Sequence, residues 1–172
     1  VRYWVLTGIL VIAFLLQSVV SNYLSIGGIT PDFLLVVVVT YGLLFGWEVG
    51  LIAGVIGGLL IDLTAGRFIG LHVLSLGLVG LMAGMIEGRV FKDNILLAPL
   101  GGLLGSMTGQ MLVLVVLWVF GWEIAPLSAI RTIVLPAALY DMVLALLVYG
   151  RIYKYYLYLR PDPRGTIVLR RH

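Results

Sequence analysis

Residues 46–66 read GWEVGLIAGVIGGLLIDLTAG, a stretch in which Gly46, Gly50, Gly54 and Gly58 recur at every fourth position and Asp62 continues the row. Helical residues four apart lie one above the other on the same face. A row of glycines there lets a second helix come to backbone contact, which is how apolar helices associate when lipid removes the hydrophobic drive between them. A carboxylate on such a row is costly in hydrocarbon, so Asp62 is expected to face a bundle interior, a polar cavity or an interface. At 3.6 residues per turn the row drifts by about 40° per four-residue step, so it cannot face one neighbour along its whole length. Two uses stay open for it: packing inside the chain's own bundle, and docking of a separate transmembrane helix.

The rest of the chain fits a membrane setting. Of its 172 residues 62% are hydrophobic and only 11% charged, with a mean hydropathy of +1.15, far from the soluble globular range. At roughly 20 residues per span there is room for about six helices and no extramembrane domain. The fold class is therefore an all-α integral membrane protein, a compact bundle of six transmembrane helices over residues 1–160 with a short basic tail at 161–172. Apolar patterning places the helices at 4–20, 33–45, 47–63, 71–86, 95–120 and 130–149. The first is read as a retained helix and not a secretory signal, since no small-residue cleavage site follows it. The second and third are too long together for one straight crossing, and Gly46-Trp47-Glu48 supplies a turn and an interfacial aromatic between them. With no cysteine there is no disulfide framework or thiolate metal site.

Orientation follows from the basic residues. With the N-terminus inside, Arg2, Arg89, Lys92, Arg151, Lys154, Arg160, Arg164, Arg170 and Arg171 all fall on the cytoplasmic side, and only Arg67 and Arg131 lie outside. Both termini are predicted to be cytoplasmic. Residues 149–160 interleave tyrosines with cations, a mixture also found on nucleic-acid surfaces. Beside a span, tyrosine at the headgroup level and cations on anionic lipid account for it, so the expected contact is membrane lipid and not nucleic acid.

Glycines four apart return at Gly80, Gly84 and Gly88 and at Gly101, Gly105 and Gly109, where internal packing is the expected use. Intramembrane polar residues are few. Asp141 lies mid-span in the last helix, five residues after Pro136, which cannot donate to the carbonyl four positions back and so predicts a kink. Gln110 is its expected hydrogen-bond partner, and Gln17 is similarly read as interhelical glue. Asp32 follows Pro31 at a helix start, where proline and an acidic residue are both favourable.

Catalysis finds no constellation. Tyr140-Asp141 matches the first half of an intramembrane aspartyl protease signature, but Gly58-Leu59-Leu60-Ile61-Asp62 lacks the second half. Gly105-Ser106-Met107 does not make a serine-protease elbow, and His72 with Ser75 has no orienting third group. With His72 and His172 the only histidines, neither catalytic nor metal-ligating residues are assigned and no cofactor is implied.

Pro31-Asp32-Phe33-Leu34-Leu35-Val36-Val37, the ridge ending in Gly58-Leu59-Leu60-Ile61-Asp62-Leu63-Thr64-Ala65-Gly66, and Ile69-Gly70-Leu71 before a glycine-rich fourth helix occur in an order that resembles the rod shape-determining protein MreD family. Asp141 stands where that family is expected to carry a polar residue, more often asparagine. The resemblance implies a non-enzymatic scaffold subunit of the bacterial cell-elongation machinery in the inner membrane. Its implied partner is the single-span protein MreC, and through it MreB, the polymerase RodA and a penicillin-binding transpeptidase of peptidoglycan synthesis. It also implies an architecture similar to the substrate-binding subunits of energy-coupling-factor transporters. A small-molecule, vitamin-type transporter subunit is thus the alternative function, with Asp32, Asp62, Arg67 and His72 as candidate ligand contacts. On the scaffold reading Gly46, Gly50, Gly54, Gly58 and Asp62 are the candidate partner-binding residues, and Asp32, Gln110 and Asp141 the polar intramembrane ones.

Overall fold

The computed structural model describes residues 2–23, 28–66, 70–89, 94, 96–122 and 125–159. Its helices are α1 (Arg2–Tyr23), α2 (Phe33–Phe45), α3 (Trp47–Ala65), α4 (Leu71–Met85), α5 (Leu97–Val119), α6 (Pro126–Ala129) and α7 (Leu135–Leu159). A 3-10 turn, Glu87–Arg89, follows α4, and a π-helical turn, Ile130–Val134, joins α6 to α7. The basic tail 161–172, together with Arg67, Lys92 and Arg160, lies outside the described residues.

Four stretches are long and apolar enough to cross a membrane: Trp47–Ala65, Leu71–Arg89, Leu97–Val119 and Leu127–Tyr158. Trp4–Val19 and Phe33–Phe45 are shorter apolar helices. The six expected helices are thus all present, while four of them reach spanning length.

The short helix α2 is the centre of the molecule. Its 13 residues rise about 20 Å, less than the ~30 Å of hydrocarbon, and every one from Leu34 to Leu44 is buried. A helix apolar all round is stable only when wrapped, and α1, α3, α4, α5 and α7 all pack on it. Its start is set by Asp32, whose Oδ1 accepts the Leu35 amide at 2.9 Å. It stops at Gly46, whose φ of +94° turns the chain directly into α3, so the break expected there is where the chain reverses.

The glycine ridge of α3 packs on α4. A Cβ on Gly50, Gly54 or Gly58 would overlap the carbonyls of Gly80, Leu76 and His72 in turn, and one on Gly80 or Gly84 would overlap the backbone of Gly50 or Trp47. The two helices therefore meet backbone to backbone over most of their length. The third glycine row behaves differently. Gly101 and Gly109 leave room for α2 side chains, with Leu43 Cδ1 2.7 Å and Leu35 Cδ1 3.0 Å from where a Cβ would sit. In α5 the close backbone approach is at Gly102, against Asp141 and Ala145 of α7.

The last helix runs past the expected end of its span at Tyr149 to Leu159, just short of Pro161, where proline is expected to end it. The tyrosines that were expected at the lipid headgroups explain it, because most of them pack inward. Tyr149 is 5% exposed and stacks on Tyr153 at 5.8 Å. Tyr156 meets Phe45 edge-on at 5.5 Å, and Phe45 in turn meets Tyr41. Aromatic pairs in such geometries contribute about 0.5–1.5 kcal/mol beyond their buried area. Tyr41 completes the group by donating its hydroxyl to the Leu6 carbonyl of α1 at 2.8 Å. Only Tyr158, 86% exposed, points away as a headgroup anchor does. Elsewhere the outer surface is a coat of exposed Leu, Ile and Val, including Leu15, Ile56, Leu59 and Leu147, as lipid contact requires.

Candidate functional site

Two short-circuited helix starts organise the polar residues. A helix N-terminus presents unpaired N–H groups and a partial positive charge. In hydrocarbon these must find protein partners.

At the start of α2 those partners come from two other helices, and a third supports one of them. Gln17 of α1 accepts the Phe33 amide through Oε1 at 2.7 Å. Asp141 of α7, fully buried, accepts the Asp32 amide through Oδ1 at 2.7 Å. Its Oδ2 accepts the Ser106 hydroxyl of α5 at 2.6 Å, and Gln110 one turn on donates its amide to Ser106 Oγ at 3.0 Å. The direct pair expected between Gln110 and Asp141 is thus relayed through Ser106. That serine carried no signal in the sequence beyond its place one helical turn before Gln110.

At the start of α4 the cap is Asp62 of α3, also fully buried. Its Oδ2 accepts the Gly70 amide at 2.8 Å and the Val73 amide at 3.2 Å. Its Oδ1 accepts the His72 amide at 3.1 Å and lies 2.7 Å from His72 Nδ1. Helix α4 has Gly70 at its N-cap and no side-chain cap of its own, the one trace in sequence that a carboxylate from elsewhere is needed. Asp62 and the glycines Gly50, Gly54 and Gly58 therefore all engage α4, and the helix that the ridge admits in this structure belongs to the same chain. Gly46 forms the α2–α3 turn. The hydroxyl of Ser75 donates to the Gly109 carbonyl at 2.8 Å, so it is committed away from His72. Among the described residues no three His, Cys, Asp or Glu side chains cluster as metal ligands do.

Beside the α2 start lies a cavity of about 500 Å³, whose walls include Gln17, Thr30, Asp32, Gln110 and Thr132. Thr132 reaches it from the π-helical turn, where the four-residue register of an ordinary helix is lost: the Leu135 amide bonds the Ile130 carbonyl, five residues back. Pro136 follows immediately. Lacking an N–H for the Thr132 carbonyl, it lets the preceding turn widen, so the distortion expected at Pro136 takes the form of a π turn. Gln17, Asp32 and Gln110 thus line one cavity, with Asp141 tied to it through the Asp32 amide; Asp62 and His72 form a second site, and Arg67 lies outside the described residues.

Residues 1–159, which take in every described helix, match the family of the rod shape-determining protein MreD. The chain belongs to the MreD family. Membership in MreD carries a role in the machinery that determines rod cell shape, and MreD is a family of shape-determining structural proteins. The apolar helices agree with a multi-pass membrane protein. No curated protein matches the chain. No solved structure matches it either, so the likeness to transporter subunits has no structural match behind it.

Proposed function

We propose that this MreD-family chain is a non-enzymatic scaffold subunit of the rod elongation complex in the bacterial inner membrane. It binds an MreC-like single-span protein and, through it, is linked to MreB, RodA and a penicillin-binding transpeptidase, so that it helps to control lateral peptidoglycan synthesis. The observation that carries this reading is the family match across residues 1–159, in a chain whose buried Asp62, Ser75, Ser106 and Asp141 side chains hold its own helices together. A protein of this kind acts by presenting helix faces to other helices.

Both termini face the cytoplasm and six helices cross the membrane, α2 as the wrapped, shortened one. Arg89, Arg151 and Lys154 are exposed at the same end of the bundle as Trp47, since Gly84 of α4 abuts Trp47 and Tyr156 of α7 abuts Phe45. That clustering supports the inside-positive orientation.

Because α4 fills the ridge of α3, the partner contact on this helix falls to its opposite face, where Ile52, Ile56 and Leu59 are 59%, 42% and 43% exposed. A photoreactive residue at Ile56 or Leu59, in cells that make an MreC-like protein, is expected to yield an adduct with that protein. Adducts with lipid alone at both positions would remove α3 from the interface.

A further inference from the structure

The cavity beside the start of α2 is built differently from the rest of the bundle surface. Four segments that are distant in sequence bring two carboxamides, Gln17 and Gln110, two hydroxyls, Thr30 and Thr132, and one carboxylate, Asp32, to a single space of about 500 Å³. That volume lies within the range of about 300–1,000 Å³ usual for small-molecule sites. The groove between α4 and α5, by contrast, has walls of Val39, Leu43, Met82, Leu100 and Leu104 with almost no polar group, which hydrocarbon chains satisfy without selection.

Keeping these polar groups in one place has structural consequences of its own. The π-helical turn departs from α-helical register at the segment that lines the cavity with Thr132 and Ile133, a distortion often found where a helix serves a site. Ala137, one turn further on and 5% exposed, presents only a methyl group to the wall, which leaves the space open.

The lining also restricts the ligand class. Among the described residues no lysine, arginine or histidine lines the space, and the one charged side chain there is the Asp32 carboxylate. The N–H groups of the α2 start do not make an anion site, because Gln17 and Asp141 already accept the Phe33 and Asp32 amides. An anionic ligand is therefore disfavoured by the carboxylate with nothing to offset it. The Thr132 hydroxyl already donates to the Ser128 carbonyl at 2.8 Å and the Gln110 amide to Ser106, so toward the cavity the hydroxyl and the Gln110 oxygen act as acceptors beside an acceptor-only carboxylate, which matches a neutral group rich in hydroxyl donors. Ile133, on the same wall, is 52% exposed on the outer surface, so the cavity adjoins the lipid-facing side.

We infer that this cavity binds a neutral, polyhydroxylated glycosyl group, either as the headgroup of a glycolipid or as a free sugar. The site stands apart from the outer face of α3 and is independent of the scaffold reading.

The test uses the full chain, purified in a detergent without a sugar headgroup and examined by native mass spectrometry. The probes are monoglucosyl diacylglycerol, glucose, phosphatidylglycerol and dodecyltrimethylammonium. Monoglucosyl diacylglycerol is expected to bind at least roughly tenfold more tightly than phosphatidylglycerol, a difference of about 1.4 kcal/mol. Glucose competing at similar concentration identifies the free sugar as the source, and glucose without effect identifies the glycolipid. Ala137→Phe fills the space and is expected to lower binding by roughly tenfold or more. Thr132→Val keeps the volume, removes one hydroxyl and is expected to lower it about fivefold, the worth of one net hydrogen bond. Both variants are compared at unchanged monodispersity, and Thr132→Val serves alone if Ala137→Phe does not fold. No binding of either glucosyl probe, tighter binding of the anionic or cationic probe, or full binding by folded Thr132→Val would overturn the assignment.

Discussion

Gly54→Leu is expected to abolish the monodisperse species in detergent. A Cβ at Gly54 already overlaps the carbonyl of Leu76, and it would stand 2.6 Å from the Leu76 carbonyl carbon and 2.8 Å from the Gly77 nitrogen. Overpacking of a core usually costs about 1–3 kcal/mol because side chains shift to make room. Here the obstacle is the backbone of a helix, so α3 and α4 have to part. Their separation also undoes the Gly50–Gly80 contact and pulls Asp62 away from the start of α4. Gly150→Leu is the matched control, since a Cβ at that helical glycine meets nothing within 4 Å. Size-exclusion profile and thermal midpoint report the outcome. A Gly54→Leu protein with the wild-type profile and midpoint would mean that the two helices do not meet as described; one that stays folded yet loses a partner would assign the ridge to that partner.

The two buried carboxylates are expected to respond differently to asparagine, although alanine at either should be strongly destabilising. Asp62→Ala leaves the Gly70, His72 and Val73 amides without their acceptor, and Asp141→Ala does the same to the Asp32 amide and the Ser106 hydroxyl. Each buried donor left unpaired costs about 1–3 kcal/mol, so either alanine variant should fall by several kcal/mol. Asparagine separates them because it replaces one acceptor oxygen by a donor. At position 141 its oxygen can keep the Asp32 amide while its NH₂ donates to Ser106, whose hydroxyl is able to turn and accept. At position 62 both oxygens accept backbone N–H groups, His72 on one and Gly70 with Val73 on the other, so the new NH₂ faces a donor whichever way it turns. The expected order of thermal midpoints is wild type, Asp141→Asn a few degrees below, then Asp62→Asn, with both alanine variants lowest. An Asp62→Asn protein as stable as Asp141→Asn would contradict the capping geometry.

How much of this was legible depended on whether the cause was local. Pro31 with Asp32, and the glycine at 46, act on their own stretch of backbone, so the limits of α2 could be read to the residue. The ridge of α3 announced close approach, although the same spacing at Gly101 and Gly109 of α5 makes room for side chains of α2 instead. Which helix approaches is a matter of tertiary structure, and α4 with its own Gly80 and Gly84 is only one of several candidates in sequence. Asp141 was visible as a buried polar residue, but its partner is the backbone amide of Asp32, 109 positions away, and a backbone amide leaves no mark on sequence. The tyrosines of α7 were read by composition as headgroup anchors. Their inward packing depends on Phe45 and Tyr41 of α2 reaching the same end of the bundle. The cavity at the α2 start was the least legible feature, since its polar side chains come from four separate stretches of the chain.

The central claim is that this MreD-family chain works by binding another membrane protein and not by uptake of a solute. The most direct measurement is purification in mild detergent of the tagged full chain from cells that also make an MreC-like single-span protein, with both recovered components quantified. Recovery of the single-span protein in constant ratio with the chain, retained by Gly150→Leu and lost with a charged substitution at Ile56 or Leu59, is the expected result. Saturable, tight binding of a vitamin by the purified chain, with no single-span partner recovered, would contradict the account and make the chain a transporter subunit.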